Sequence, residues 1–196
     1  MAARTEITRA DVLPMAAYAA VRKTKRSELV EIKKRRRVEI GPFATAYFEN
    51  FDTMWWQIHE MLYIERGGED QIEGELLAYN PLIPKGNELV CTVMFEIEDA
   101  MRRKAVLGRL GGVEETMFIE VGGQTVKGVP EPDADRTDEE GKASSVQFVH
   151  FPFPAAAIAA FRAPGARVAL GFSHPEYGHI AVMPEPVRAS LAEDFA

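Results

Sequence analysis

Residues 145–183, SVQFVHFPFPAAAIAAFRAPGARVALGFSHPEYGHIAVM, decide the fold class. Residues 145–151 read as a strand, 155–161 as a short alanine-rich helix, and 167–173 and 179–183 as two further strands. Pro175-Glu176-Tyr177-Gly178 carries turn residues in the order a hairpin needs, so the last two strands are expected to pair antiparallel. The preceding strand–helix–strand stretch fits a right-handed crossover between parallel strands, near the short limit for such a connection.

Working upstream, residues 116–121 and 124–129 flank Gly122-Gly123, a two-residue hairpin signal. Residues 88–97, with Val90, Cys91, Thr92, Val93 and Phe95, read as a strand, and 99–109 as a helix stopped by Gly111-Gly112. Residues 130–145 hold two prolines, many acidic side chains and no apolar period, which predicts a solvated, mobile acidic loop. The first part of the chain is helical in character. Thr8 and Asp11 form a capping pair ahead of a long or kinked helix over 11–37. A hairpin over 38–48 turns at Gly41-Pro42, Asn50 caps a largely apolar helix over 51–66, and a helix over 69–79 stops before Pro81. Helices gathered in one half and strands in the other predict an α+β fold. The N-terminal helices are expected to pack on a mixed, mostly antiparallel sheet with a C-terminal strand–helix–strand–strand unit. One domain over 1–196 accommodates this, helical over about 8–79 and sheet-rich over about 88–196.

Composition bounds the chemistry. With 196 residues, 46% hydrophobic and 27% charged, the chain has a globular profile and can bury roughly 70% of its unfolded surface without a staple. The single cysteine, Cys91, excludes an intramolecular disulfide, a zinc ribbon and an iron–sulfur cluster within one chain. No span has the length of uninterrupted apolar sequence that crosses a membrane. The apolar segment 12–21 is preceded by Glu6 and followed by Arg22-Lys23-Thr24-Lys25-Arg26, a charge order that opposes export, so a cytoplasmic protein is expected.

Three constellations carry potential chemistry. His150, His174 and His179 would share the carboxyl edge of a parallel sheet, with His179 across a hairpin from His174, close enough to ligate one divalent transition metal. Glu176 would supply a fourth ligand, an acceptor that orients a ring N–H, or a base. Against this, His174 continues an apolar stripe through Phe172, Leu170 and Val168, and the spacing matches no well-known metal motif.

Residues 22–37 hold nine Lys or Arg and two Glu, a local charge of +7 in a chain of net −7, so the remainder sums to −14. Such a helix, with Arg35, Arg36 and Arg37 at its end, can bind anions, nucleic acid or an acidic partner, or lie against the chain's own acidic surface. The run lacks interleaved aromatic residues and the acidic remainder repels a polyanion, which disfavours nucleic acid. Finally, Gln57 and Glu60 share one face of the apolar helix, near His59, Glu65 and Glu49. They form either a proton-handling or ligand-orienting pair or, on the rule that buried charges are paired, an ion pair with the arginine-rich helix. The glycine pairs match neither phosphate-loop pattern, Ser144 and Ser145 lack a nucleophile-elbow context, and Cys91 reads as a small core residue.

At Phe48-Glu49-Asn50, Gln57 with Glu60-Met61-Leu62, Glu65-Arg66, and Lys142 through Ser144-Ser145-Val146 to His150-Phe151, the chain resembles a bacterial domain-of-unknown-function family of about this length. Members are often encoded beside rubrerythrin and iron–sulfur oxidoreductase proteins. The resemblance implies an accessory or binding protein in redox or peroxide-stress metabolism, with a redox protein as partner, and it carries no assigned catalytic residues. A metal-dependent enzyme using the three histidines and an anion or nucleic acid binder working through the basic helix are the alternatives. A homo-oligomer is compatible with each.

Overall fold

The computed structural model describes residues 4–132 and 136–196. It contains six α-helices and two antiparallel sheets among the described residues. The five-stranded sheet has the order β1 (Arg37–Ile40), β2 (Ala44–Phe48), β3 (Glu88–Phe95), β7 (Val146–Pro152), β6 (Val129–Pro130). The four-stranded sheet has the order β5 (Gln124–Lys127), β4 (Met117–Val121), β8 (Val168–Phe172), β9 (Ile180–Val182). The α+β class expected from the sequence is the class observed.

The arrangement is layered, and β3 shows why. Leu89, Cys91, Val93 and Phe95 point into a core shared with Met117, Ile119, Leu170 and Phe172 of the second sheet, while Val90 points the other way, into a cluster with Met54, Ile58, Leu62 and Ile72. A strand covered on both faces must be apolar on both, which is why this stretch reads as a continuous run. The second cluster belongs to α2 (Phe51–Glu65) and α3 (Glu69–Tyr79), so these helices cover the outer face of the five-stranded sheet. The remaining helices are α4 (Ala100–Leu107), α5 (Ala155–Arg162) and α6 (Glu185–Leu191), and each buries residues in the core between the sheets.

The parallel crossover does not form. β7 lies antiparallel between β3 and β6, whereas β8 lies antiparallel between β4 and β9 in the other sheet. Helix α5 therefore carries the chain from one sheet to the other, and Ala157 and Phe161 fill the space between them. The mixed sheet is thus two separate antiparallel sheets. The last hairpin does form, but Phe172 donates its N–H to the His179 carbonyl (2.9 Å) and His174 bridges Tyr177, so His179 does not sit opposite His174.

Helix α1 (Met15–Lys34) starts later than expected. The Thr8–Asp11 capping box closes only a single 3-10 turn, Arg9–Asp11, and Pro14 starts the α-helix afresh. Within the acidic stretch 130–145, residues 133–135 lie outside the described residues. The described part is folded in detail: Thr137 bridges Ala143, Ala143 is buried, and Asp138 Oδ1 accepts the amides of Glu140 and Lys142. A side chain that accepts from its own loop's amides stands in there for strand pairing. Among the described residues no helix is long and apolar enough to cross a membrane.

Candidate functional site

The basic helix lines one of the grooves on the surface. Along its 20 residues only Tyr18 and Leu29 are buried. At the first of these points the Tyr18 hydroxyl donates to Glu60 Oε1 (2.6 Å), and Arg22 grips both oxygens of the same carboxylate at 2.7 Å. Glu60 is therefore an ion-pair partner of the arginine-rich helix, and Arg22 beside it holds its carboxyl below the usual range. The paired reading of Glu60 is the one realised. Gln57, the other half of that expected pair, donates instead to the Tyr79 hydroxyl at 3.4 Å.

Beyond this clasp a groove of ≈ 530 Å³ runs between α1, α2 and the β1–β2 hairpin. Arg22, Arg26, Val30, Lys33 and Lys34 line it from α1, Trp56 and Glu60 from α2, and Arg37 and Tyr47, directly opposed across the hairpin, from the sheet. Arg26, Lys33 and Arg37 have no hydrogen-bond or ion-pair partner among the described residues, whereas Lys34 pairs with Glu31. Val30 is 48% exposed. The two tryptophans differ: the Trp55 N–H donates to the Asp11 carbonyl (2.9 Å), while the Trp56 N–H has no partner among the described residues. Aromatic faces absent from the basic run itself are thus brought to it from α2 and β2, which no local pattern in residues 22–37 could reveal.

The three arginines at the end of the run separate. Arg37 lines the groove, Arg35 forms the C-cap of α1, and Arg36 is buried against Asp194 and the carbonyls of Phe48 and Glu49. Arg36 is committed to the fold rather than to a ligand.

The three histidines do not converge on one point. His150 sits on β7 between two carboxylates, Nδ1 to Glu88 Oε2 at 3.0 Å and Nε2 to Glu131 Oε2 at 2.9 Å. The Glu88 hydrogen bond, aided by Glu131, raises its pKa above the ordinary 6.5 against the opposing effect of burial. His174 has Nε2 3.3 Å from the Gly111 carbonyl and Nδ1 accepting the Glu176 amide at 3.2 Å. His179 packs edge-on against Tyr177 and against Gly41. Glu176 is exposed, 3.9 Å from Arg109. Among the described residues no group of three or more His, Cys, Asp or Glu is arranged to hold a metal ion. The separation follows from the two-sheet topology, since β7 and β8 share no edge. The fourth histidine, His59, is fully buried, accepts the Leu13 amide at Nε2 (3.0 Å) and lies 2.7 Å from the Trp55 carbonyl at Nδ1; burial pushes its pKa down. Cys91 is also fully buried, and burial holds its thiol up and protonated, which excludes a ready nucleophile.

Fold and surface together define a layered α+β protein that carries, among its surface recesses, a basic groove with aromatic walls. The chain belongs to the family described as "Protein of unknown function (DUF3501)", matched over residues 6–195. It is similar to a solved structure, a novel protein of unknown function from Burkholderia pseudomallei K96243, at 38% sequence identity and a TM-score of 0.90, covering 98% of this chain and 100% of that one. No curated protein matches the chain.

Proposed function

We propose that this chain is an accessory binding protein that takes an anionic ligand in the groove beside α1. The observation that supports it is the placement of three cations, Arg26, Lys33 and Arg37, that make no hydrogen bond or ion pair among the described residues, in one recess of a chain whose net charge outside residues 22–37 is −14. Like charges held together without partners repel one another, so an anion that enters relieves repulsion as well as gaining attraction. Arginine adds paired, planar donors suited to phosphate or carboxylate oxygens.

The test is calorimetric titration with inorganic pyrophosphate at low and physiological salt. Saturable binding that weakens with salt and disappears in an Arg26→Glu, Lys33→Glu variant is the expected result. Heat that never saturates at low salt would refute the reading. The setting in redox or peroxide-stress metabolism rests on the family resemblance. Its test is survival of a strain lacking the gene under hydrogen peroxide: complementation by the wild-type chain but not by the groove variant would link the two.

A further inference from the structure

The groove contains more than charge, and the extra features constrain what the anion is attached to. A bare inorganic anion uses the cations and at most an N–H donor; it gains nothing from the ring faces of Trp56 and Tyr47 or from the half-exposed Val30. Those three give the recess apolar and π-rich surface next to the positive charge, and the Trp56 N–H, which has no partner among the described residues, adds a donor. Each of the aromatic rings is anchored from behind: Trp56 packs at 5.9 Å, edge to face, on Tyr18, and the Tyr47 hydroxyl donates to Glu96 at 2.9 Å. Rings fixed in this way lose little freedom when something stacks on them.

Resting on the anion reading above, we infer that the groove binds a nucleoside phosphate, with the phosphates on Arg26, Lys33 and Arg37 and the flat base against Trp56 and Tyr47. The size fits, because ≈ 530 Å³ lies within the roughly 300–1,000 Å³ of small-molecule sites. A nucleic acid polymer fits less well. It would continue past the groove over a surface that carries a formal charge of −14 outside residues 22–37, and that surface repels further phosphates. The groove is also bounded on one side by the Arg22–Glu60 clasp, where Glu60 keeps its carboxylate and so disfavours phosphate.

Four probes separate the possibilities on the wild-type chain: adenosine diphosphate, pyrophosphate, adenosine and a single-stranded oligothymidylate. Stacking on one aromatic face corresponds to about 5- to 150-fold in affinity. Adenosine diphosphate should bind at least about tenfold more tightly than pyrophosphate, with adenosine the weakest of the three. Trp56→Leu keeps apolar volume but removes the π-face; it should abolish the preference for adenosine diphosphate over pyrophosphate, and an unchanged circular dichroism spectrum and urea midpoint report that the protein is still folded. Tyr47→Leu is the independent second variant, expected to reduce the same preference. Equal affinity for adenosine diphosphate and pyrophosphate would overturn the base-stacking inference and leave the anion reading standing. No binding by either would remove both. Oligothymidylate bound far more tightly than adenosine diphosphate would replace the mononucleotide with a polymer as occupant.

Discussion

Arg36 and Asp194, 158 residues apart, form an ion pair with side chains only 3% and 8% exposed. Arg36 also donates to the carbonyls of Phe48 (3.0 Å) and Glu49 (2.9 Å), so one guanidinium ties the end of α1, the β2–α2 junction and the last residues of the chain together. Removing one partner leaves the other buried and without its ion-pair partner, a loss of about 3–5 kcal/mol in measured cases. Arg36→Met and Asp194→Leu are each expected to lower unfolding free energy by about that amount. The double variant Arg36→Met, Asp194→Leu should lose less than the worse single variant. Urea denaturation of the three proteins checks this; simple additivity would show that the pair is not coupled.

His150 and His59 give stability opposite dependences on pH. The pKa of His150 is raised in the folded chain, so its contribution is complete below the ordinary value of 6.5 and is lost as pH rises through the folded pKa. The pKa of His59 is lowered, so its contribution is complete above 6.5 and declines as pH falls below it toward the folded pKa. The two slopes have opposite sign on either side of 6.5 and together place a maximum of this stability contribution near that pH in the wild type. His150→Gln should flatten the loss of stability above 6.5 and leave the acid side unchanged. Ring-proton titration by NMR supplies the direct check: His150 is expected to have its midpoint above 6.5 and His59 below, and the reverse order would contradict the hydrogen bonding described.

Much of the local structure was legible in the residues. Gly122 and Gly123 both have positive φ, 56° and 73°, which is the backbone demand that a two-residue hairpin makes and that glycine meets without strain. Asn50 caps α2 by accepting the Thr53 amide, as its position ahead of an apolar run implies. The Glu60 ion pair with the basic helix followed from the rule that buried charges find partners. What failed was the assignment of neighbours. The apolar patterns of β7 and β8 specify buried strands but not the strands beside them, and α5 between them serves a bridge between two sheets as well as a crossover within one. That single choice displaced His150 from His174. The carboxylates that do hold His150 come from residues 88 and 131, and nothing near residue 150 signals either.

Glu60 is expected to matter more through Tyr18 than through charge. Tyr18 is fully buried at the centre of an aromatic cluster with Trp55, Trp56, His59 and Tyr63, and its hydroxyl has Glu60 as acceptor. Glu60→Ala leaves that hydroxyl without a partner, at about 1–3 kcal/mol. Tyr18→Phe removes the donor along with the need and should cost less. Because Arg22 lowers the Glu60 pKa, the carboxylate's contribution is complete above the ordinary 4.5 and is lost as pH falls through the folded pKa. Chemical denaturation at neutral pH and at pH about 3.5 compares the variants. A Glu60→Gln protein as pH-sensitive as wild type in this window would exclude Glu60 as the titrating group.

Gly41 connects the β1–β2 hairpin, which forms one wall of the groove, to the second sheet. Its φ of +66° belongs to the left-handed region, and a Cβ there would lie 2.5 Å from His179 Cγ. Gly41→Ala therefore meets two separate penalties, backbone strain of about 1–3 kcal/mol and a steric clash. The double variant Gly41→Ala, His179→Ala relieves the second and not the first. It should recover part of the stability lost in the single variant, with the backbone share still missing. Thermal unfolding of both, set against His179→Ala alone, measures the two contributions. Full recovery would show that the turn tolerates a side chain and that the His179 ring alone requires glycine at this position.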